Sequence, residues 1–263
     1  GKEMAPARTP GLLRIAALGD FSTNGFYVTD EETFPAQLEA QLRARGIPAE
    51  VLNASRGGGS LDREYAVLRE VVLPLQPDLV LLTFNTNDIA EIMGKSRDQL
   101  ISSSTRDNYP FPWAIWLLTH SAAGEWAGDT WLWLTSPFYR AKSRGLRYGV
   151  IPAGTPDTTE AYLRHCYVAP RNTVGLVLFE PYAPEVAAAI DDYLYAIDHL
   201  HQTCQSHQAQ LVFAYDPCFP QIYDPKASLK IRNLLEKACR DLAIPFLDLT
   251  PALRLAGQRE KLH

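Results

Sequence analysis

Three short apolar runs in the N-terminal third of the chain each end in a loop of small and polar residues. The runs cover residues 15–18, 49–52 and 79–84, and the loops begin at Gly19, Asn53 and Asn85. Continuous apolar runs are typical of buried parallel strands, and the carboxyl ends of such strands meet at one edge of the sheet. The sequence therefore predicts an α/β fold with a crevice at that edge.

Segments with helical periodicity separate the apolar runs. We predict helices over residues 31–45, 61–75, 184–207 and 227–242, and two further strands over residues 211–215 and 244–249. In the first of these helices Phe34, Leu38 and Leu42 recur at a spacing of four, as on one helical face, and Gly46 follows as the expected helix end. This alternation of strands and helices is typical of the α/β class.

Length and charge limit the classes of protein. A chain of 263 residues with 46% hydrophobic residues suits one large α/β domain, and the net charge of -5 argues against a nucleic-acid partner. No apolar run is long enough for a transmembrane segment, and residues 1–11, interpreted as an N-terminal tail, lack the apolar core of a signal peptide. We expect a cytoplasmic protein; the alternative is a secreted or periplasmic one from which an N-terminal segment has been removed.

The four cysteines are widely spaced and form no Cys-x-x-Cys motif. They are Cys166, Cys204, Cys218 and Cys239. Buried free thiols are the favoured interpretation, ahead of metal ligands or disulfides.

The periodic pattern loosens over about residues 92–189, which we interpret as an insertion. This segment holds all five tryptophans: Trp113, Trp116, Trp126, Trp131 and Trp133. It is too long for a connecting loop and must fold on the domain. The aromatic residues either bury the insertion against the domain or form an apolar lid or acyl pocket over the crevice. A partner protein could also bind through them.

The first loop allows three interpretations. Ser22 could be a nucleophile, since it lies on a short turn rich in backbone N–H groups. The loop could instead bind an anion, although no Gly-x-Gly-x-x-Gly motif or P-loop occurs in the chain. It could also be an ordinary joint between a strand and a helix.

Together the three loops resemble the motifs of the SGNH (GDSL) hydrolase superfamily, in the same order. The matching segments are Gly19-Asp20-x-x-Thr23-x-Gly25, Asn53-Ala54-Ser55-x-x-Gly58 and Asn87-Asp88. The resemblance implies a flavodoxin-like three-layer α/β/α sandwich over residues 12–263, interrupted by the insertion. It also implies an esterase or acyltransferase acting on the ester or acyl group of a lipid, a glycan or a small molecule, without cofactor or metal.

The resemblance further implies roles for individual residues. In the family a serine attacks the ester carbonyl, a histidine takes the serine proton, and an aspartate orients the histidine. Gly58 and Asn87 match the residues that supply oxyanion-hole donors, and Asp20 matches the aspartate that stabilises the first loop. Phe21, Asn24 and Asp88 lie beside these positions and are candidate substrate contacts.

Two departures from the family pattern concern the nucleophile and the base. Phe21 stands where the family has its serine, and Ser22 follows one residue later. Ser22 is therefore either the nucleophile of a rebuilt loop or a structural turn residue. The C-terminal Asp-x-x-His motif is not seen; Glu260-x-x-His263 has a similar form, which makes His263 the candidate base. Asp198-x-x-His201 lies within a predicted helix and is interpreted as part of a polar helix face.

The sequence thus favours an SGNH-like hydrolase or acyltransferase. One alternative is a catalytically degenerate member that binds an ester-bearing ligand, a glycan or a protein partner. Another is a repurposed enzyme that uses Asp20, Asn87 or Asp88 for acid–base chemistry.

Overall fold

A computed structural model describes residues 9–25, 28–55, 60–105 and 175–259. Within these ranges the strands are β1 (Leu13–Leu18), β2 (Ala49–Asn53), β3 (Leu79–Phe84), β4 (Gln210–Tyr215) and β5 (Phe246–Asp248). All four pairings are parallel, and the strand order is β2-β1-β3-β4-β5. This is the order of flavodoxin-like sheets. The predicted α/β class and parallel sheet are confirmed.

Helices connect the strands. They are α1 (Phe21–Asn24), α2 (Phe34–Ala44), α3 (Leu61–Val67), α4 (Asp88–Ile92), α5 (Arg97–Ser102), α6 (Pro184–Ser206), α7 (Phe219–Tyr223), α8 (Lys230–Asp241) and α9 (Thr250–Arg259). Short 3-10 segments occupy Asp30–Glu32, Leu73–Leu75 and Gly175–Leu178, and a π turn occupies Leu68–Val72.

The two faces of the sheet are covered by different helices. Ile15 and Leu81 face one side, where they join a cluster with Leu38 and Leu42 of α2. Alternate strand residues such as Leu82 face the other side and join the larger core, to which α3, α6 and α8 contribute. Successive residues of a strand point to opposite faces, so a fully buried strand must be apolar throughout. The result is a three-layer arrangement with helices on both sides of the sheet.

An aromatic cluster supports the carboxyl ends of β3 and β4. The rings of Phe84 and Tyr215, the last residues of these strands, stack with centroids 5.5 Å apart. Tyr193 of α6 meets Phe84 edge-on at 5.3 Å. Offset-stacked and edge-to-face pairs of this kind stabilise a core beyond the area they bury. They fix the points at which the loops after β3 and β4 begin.

Two predicted helices differ from those observed for a visible local reason, and the helix expected over 227–242 begins later, at Lys230. The helix expected over 61–75 is regular only to Val67 and continues as the π turn and a 3-10 segment. Pro74 lies in this region, and proline both lacks a backbone N–H and clashes with the carbonyl four residues earlier. The helix expected from residue 31 begins at Phe34, because the Thr33 side chain accepts a hydrogen bond from Ala36 N at 3.4 Å and caps it there.

The predictions about thiols and the insertion are tested only in part. Cys204 and Cys239 are free and buried, burial raises the pKa of each thiol to about 12, and Cys218 is free and half-buried. Cys166 and the five tryptophans lie outside the described residues, as does most of the insertion, so the lid and the domain bounds stay predictions. No helix in the described part of the chain is long and apolar enough to cross a membrane.

Candidate functional site

The sheet register brings the loops after β1, β3 and β4 to one edge. Phe84 pairs with Tyr215, and Asp216 N donates to Phe84 O at 3.1 Å. Asn85 and Asp216, the next residues of the two strands, therefore leave the sheet at the same level. β1 lies on the other side of β3, and its last residue, Leu18, pairs with Leu82, two residues before β3 ends, so the turn after β1 leaves the sheet at the same edge. In folds with this strand order the crevice beside β1 and β3 is the place where ligands bind.

Steric contacts shape the first loop. A Cβ at Gly19 would lie 2.3 Å from Thr23 Oγ1 and 3.2 Å from Thr83 Cβ, so only glycine allows α1 to fold back onto the strand end. Gly25, with a φ of 73°, ends α1 in the left-handed conformation. As a result Thr23 is buried beneath the turn, Ser22 is half-buried at the crevice, and Phe21 is 44% exposed.

Ser22 lies against the side-chain amide of Asn85. Its Oγ is 3.2 Å from Nδ2 of Asn85 and 3.3 Å from the same residue's Oδ1. The Ser22 hydroxyl also lowers the pKa of the Asp216 carboxyl group. The crevice thus holds a hydroxyl with both a neutral N–H donor and a hydrogen-bond acceptor beside it.

Asp216 is a functional candidate that the sequence reasoning missed. Burial raises the pKa of its carboxyl group to about 6, and the hydrogen bond with Ser22 opposes this rise. A carboxyl group with this pKa is ionised at neutral pH and can accept a proton there. The signal was present in the sequence, because Asp216 directly follows the fourth apolar run, as Asn85 follows the third.

Asp20 and Asn87 join the first loop to the third. Asn87 Nδ2 donates to Asp20 Oδ2 at 2.7 Å and to Glu91 Oε1 at 3.0 Å. An amide nitrogen carries two hydrogens, so both are engaged within the protein. Asp20 accepts this hydrogen bond between two loops, as expected for a residue that stabilises the first loop. The side chain of Asn87, expected from the resemblance to face an oxyanion, lies in a loop-to-loop bridge, and Asn85 is the amide beside Ser22.

Asp88 lies beneath the crevice, which corrects the expectation that it contacts substrate. It has no exposed surface. Its Oδ2 accepts hydrogen bonds from Asn85 N at 3.0 Å and from the Tyr193 hydroxyl at 3.3 Å. A carboxylate that caps the turn before α4 in this way is directed inward. Asp88 therefore shapes the loop that presents Asn85.

Asn24, a second candidate substrate contact, joins the first loop to the loop after β2. Its Nδ2 donates to Ser55 O at 3.2 Å, and Asn53 Nδ2 donates to Thr23 O at 3.0 Å. Gly58 and His263, the remaining candidates, lie outside the described residues. The structure thus brings Asp20, Ser22, Asn24 and Asn87 to one edge of the sheet.

Other candidate chemistry is not supported at this edge. Asp198 and His201 both lie within α6, as the helix prediction requires. Across the described ranges, no group of three or more His, Cys, Asp or Glu side chains is arranged to hold a metal ion.

Comparisons with known proteins find a similar structure but no matching sequence. The sequence matches no protein-family profile and no curated protein sequence. The structure is similar to that of the acetyl xylan esterase AlAXEase, with a TM-score of 0.50 and 11% identity over 94% of this chain and 82% of that one.

Two further structures are less similar. A variant of the esterase AlinE4 has a TM-score of 0.47 and 14% identity, covering 97% of this chain and 87% of that one. A variant of the acetylxylan esterase Axe2 from Geobacillus stearothermophilus has a TM-score of 0.44 and 12% identity, covering 95% and 81%. Both TM-scores are too low to support an argument. The chain therefore has an α/β fold similar to that of one acetyl xylan esterase.

Proposed function

We propose that this chain cleaves or transfers an ester-bound acyl group, with Ser22 as the nucleophile. The observation that carries the proposal is the position of the Ser22 hydroxyl. It lies at the carboxyl edge of a parallel sheet, within hydrogen-bond distance of Asn85, and it lowers the pKa of the Asp216 carboxyl group. A serine becomes nucleophilic when an adjacent group accepts its proton, and the acyl-enzyme that forms splits the reaction into two easier steps.

The motif resemblance supports this proposal and suggests its class. We assign the chain to the SGNH (GDSL) hydrolases on the three loops, with the nucleophile displaced by one residue from its family position. The likeness in fold to an acetyl xylan esterase favours, within this proposal, a short acyl group on a glycan or on another small alcohol. Phe21, exposed beside Ser22, offers an apolar surface for the acyl group or its alcohol.

A second candidate is a protein that binds an ester-bearing ligand without cleaving it. Two observations favour it. Phe21 occupies the family's nucleophile position, and both amide hydrogens of Asn87 are engaged by Asp20 and Glu91 instead of facing the crevice. An oxyanion donor must be free to face the developing charge, and loss of one such donor typically costs about 10²–10³ in turnover.

Hydrolysis of 4-nitrophenyl acetate separates the two candidates. If Ser22 is the nucleophile, Ser22→Ala reduces hydrolysis to the uncatalysed rate while the melting temperature stays nearly unchanged, because a half-buried hydroxyl adds only about 0.5–1.5 kcal/mol of stability. Ser206→Ala is the matched control, since this exposed serine at the end of α6 bonds locally, to Thr203 O at 2.8 Å and with His207 Nδ1 at 3.1 Å. Equal activity in wild type and Ser22→Ala would refute the proposal, and tight binding of the ester without turnover would favour the second candidate.

A further inference from the structure

The proposed serine chemistry places a negative charge on the carbonyl oxygen of the ester when Ser22 attacks. Resting on that proposed function, we propose that the side-chain amide N–H of Asn85 stabilises this negative oxygen. The motif resemblance gives that role to Asn87, two residues later. The proposal therefore assigns a catalytic role to a residue that lies outside the matching motif segments.

The amide hydrogens of the two asparagines are used differently. Asn87 Nδ2 donates to Asp20 Oδ2 at 2.7 Å and to Glu91 Oε1 at 3.0 Å, which uses both of its hydrogens. Asn85 Nδ2 donates to Ser22 Oγ at 3.2 Å, which uses one, and its second hydrogen meets no acceptor among the residues that the structure describes. Asn85 is therefore the amide that is able to donate to a substrate.

The position of the Asn85 amide suits a negative oxygen formed at Ser22. In the tetrahedral intermediate that oxygen and Ser22 Oγ are bonded to the same carbon, so the two oxygens are neighbours. Effective donors lie about 2.7–3.1 Å from the position that the negative oxygen takes in the transition state. Because Asn85 Nδ2 already meets Oγ at 3.2 Å, it needs only a small shift to reach that position.

The hydrogen bonds that Ser22 makes without substrate are compatible with this shift. The Ser22 hydroxyl donates to Asn85 Oδ1 at 3.3 Å, while its oxygen accepts from Nδ2 of the same residue. Both distances are at or beyond the long end of the usual range, so little stabilisation is lost when these bonds break. An ionised oxygen is a stronger acceptor than a hydroxyl. The amide N–H is therefore expected to turn from Oγ to the negative carbonyl oxygen as the bond to carbon forms.

The backbone holds Asn85 in place before any substrate binds. Asn85 follows the last residue of β3, its N–H donates to Asp88 Oδ2 at 3.0 Å, and its carbonyl oxygen accepts from Asp88 N at 3.0 Å. The Tyr193 hydroxyl of α6 donates to the same Asp88 oxygen at 3.3 Å. Asn85 is also buried, and a hydrogen bond to a charge is stronger where water is excluded. A donor fixed in this way needs little reorganisation when the negative charge develops.

The steps balance with water as the only further reactant. Ser22 Oγ bonds to the carbonyl carbon, and an electron pair of the C=O double bond moves to the oxygen that Asn85 meets. When that pair returns, the ester C–O bond breaks and the Ser22 proton ends on the departing alcohol. Water then adds to the acyl carbon, the same oxygen becomes negative again, and the bond to Oγ breaks. One water proton ends on Oγ, the acid is released, and Asn85 keeps its own protons throughout.

Steady-state hydrolysis of 4-nitrophenyl acetate at pH 8 by two variants tests the role of Asn85. Asn85→Asp keeps the size of the side chain and an oxygen that accepts from Ser22, but it has no N–H. Asn85→Ala removes both groups. We expect each change to lower kcat by about 10²–10³-fold while KM stays within about threefold, because the donor acts on the transition state and not on the bound ester. Asn233→Ala, which changes an exposed asparagine in α8, should match wild type.

The outcomes separate the role of Asn85 from the proposed function. If Ser22→Ala hydrolyses the ester as fast as wild type, the proposed function fails and the role of Asn85 fails with it. If Ser22→Ala is inactive but Asn85→Asp keeps the wild-type kcat, the amide serves only to accept from the Ser22 hydroxyl, and the proposal is overturned. A raised KM with an unchanged kcat in Asn85→Ala overturns it as well. Should Asn85→Asp not fold, as circular dichroism would show, the kcat of Asn85→Ala decides.

Discussion

Replacement of Glu64 by glutamine should change how the stability of the protein depends on pH. Glu64, in α3, is buried, and neither of its carboxyl oxygens has a hydrogen-bond partner among the residues that the structure describes. Burial is the largest cause that raises its pKa, followed by the negative charges of Asp88 and Asp20. Burial also raises the pKa of Asp88, against the hydrogen bond from Asn85 N. Both carboxyl groups therefore have a higher pKa in the folded protein than in the unfolded chain.

The sign and size of the effect follow from proton linkage. A carboxyl pKa that is higher in the folded state than in the unfolded state makes the free energy of unfolding fall as the pH rises above the unfolded value, until the folded pKa is reached. Each extra proton held contributes about 1.4 kcal/mol per pH unit. For as long as folded Glu64 keeps a proton that the unfolded chain releases, a rise of two pH units lowers stability by up to about 3 kcal/mol. Glu64→Gln removes this contribution, because an amide does not titrate.

Urea unfolding at pH 5, 6, 7 and 8 measures this difference. We expect the wild-type free energy of unfolding to fall across the series and that of Glu64→Gln to fall less steeply, by up to about 1.4 kcal/mol per pH unit. Glu185→Gln, a change of an exposed carboxyl at the start of α6, should keep the wild-type slope. An equal or steeper slope for Glu64→Gln would refute the reasoning.

Two further changes test the loops around the crevice. Gly19→Ala should cost about 1–3 kcal/mol, since its Cβ would meet Thr23 Oγ1 at 2.3 Å, and should cost more than Gly94→Ala, where φ is also positive but the space is open; an equal urea midpoint for the two variants would contradict this. Asn87→Asp should place a carboxylate beside Asp20 in place of a hydrogen bond of 2.7 Å, which raises the pKa of the new carboxyl group and makes the loss of melting temperature larger at pH 8 than at pH 5. A loss of melting temperature that is independent of pH would show that the new carboxylate is not repelled by Asp20.

The strands and the crevice could be predicted because they depend on patterns that the sequence displays directly. Buried parallel strands require continuous apolar runs, and their carboxyl ends must share an edge. The same logic, applied to the fourth run, would have found Asp216. The end of the regular helix at Val67 was harder to predict from the sequence. One proline near the end of a helical pattern does not indicate how many turns of the helix it disrupts.

The directions of side chains in the loops could not be predicted. The sequence places Asn85, Asn87 and Asp88 on one turn without saying which of them faces the crevice. The structure buries Asp88 under the turn, engages Asn87 with Asp20, and leaves Asn85 beside Ser22. These orientations depend on the backbone angles of the turn and on residues distant in sequence.

The most direct test of serine chemistry in this crevice is to identify the residue that a fluorophosphonate modifies. The intact mass of the wild-type protein should increase by one adduct, and peptide mapping should place that adduct on Ser22. Ser60 is an informative alternative, since it lies near the same edge but is buried and hydrogen bonds with Asp62 and Lys95. An adduct on Ser60 or on another serine, or no adduct at all, would contradict the account.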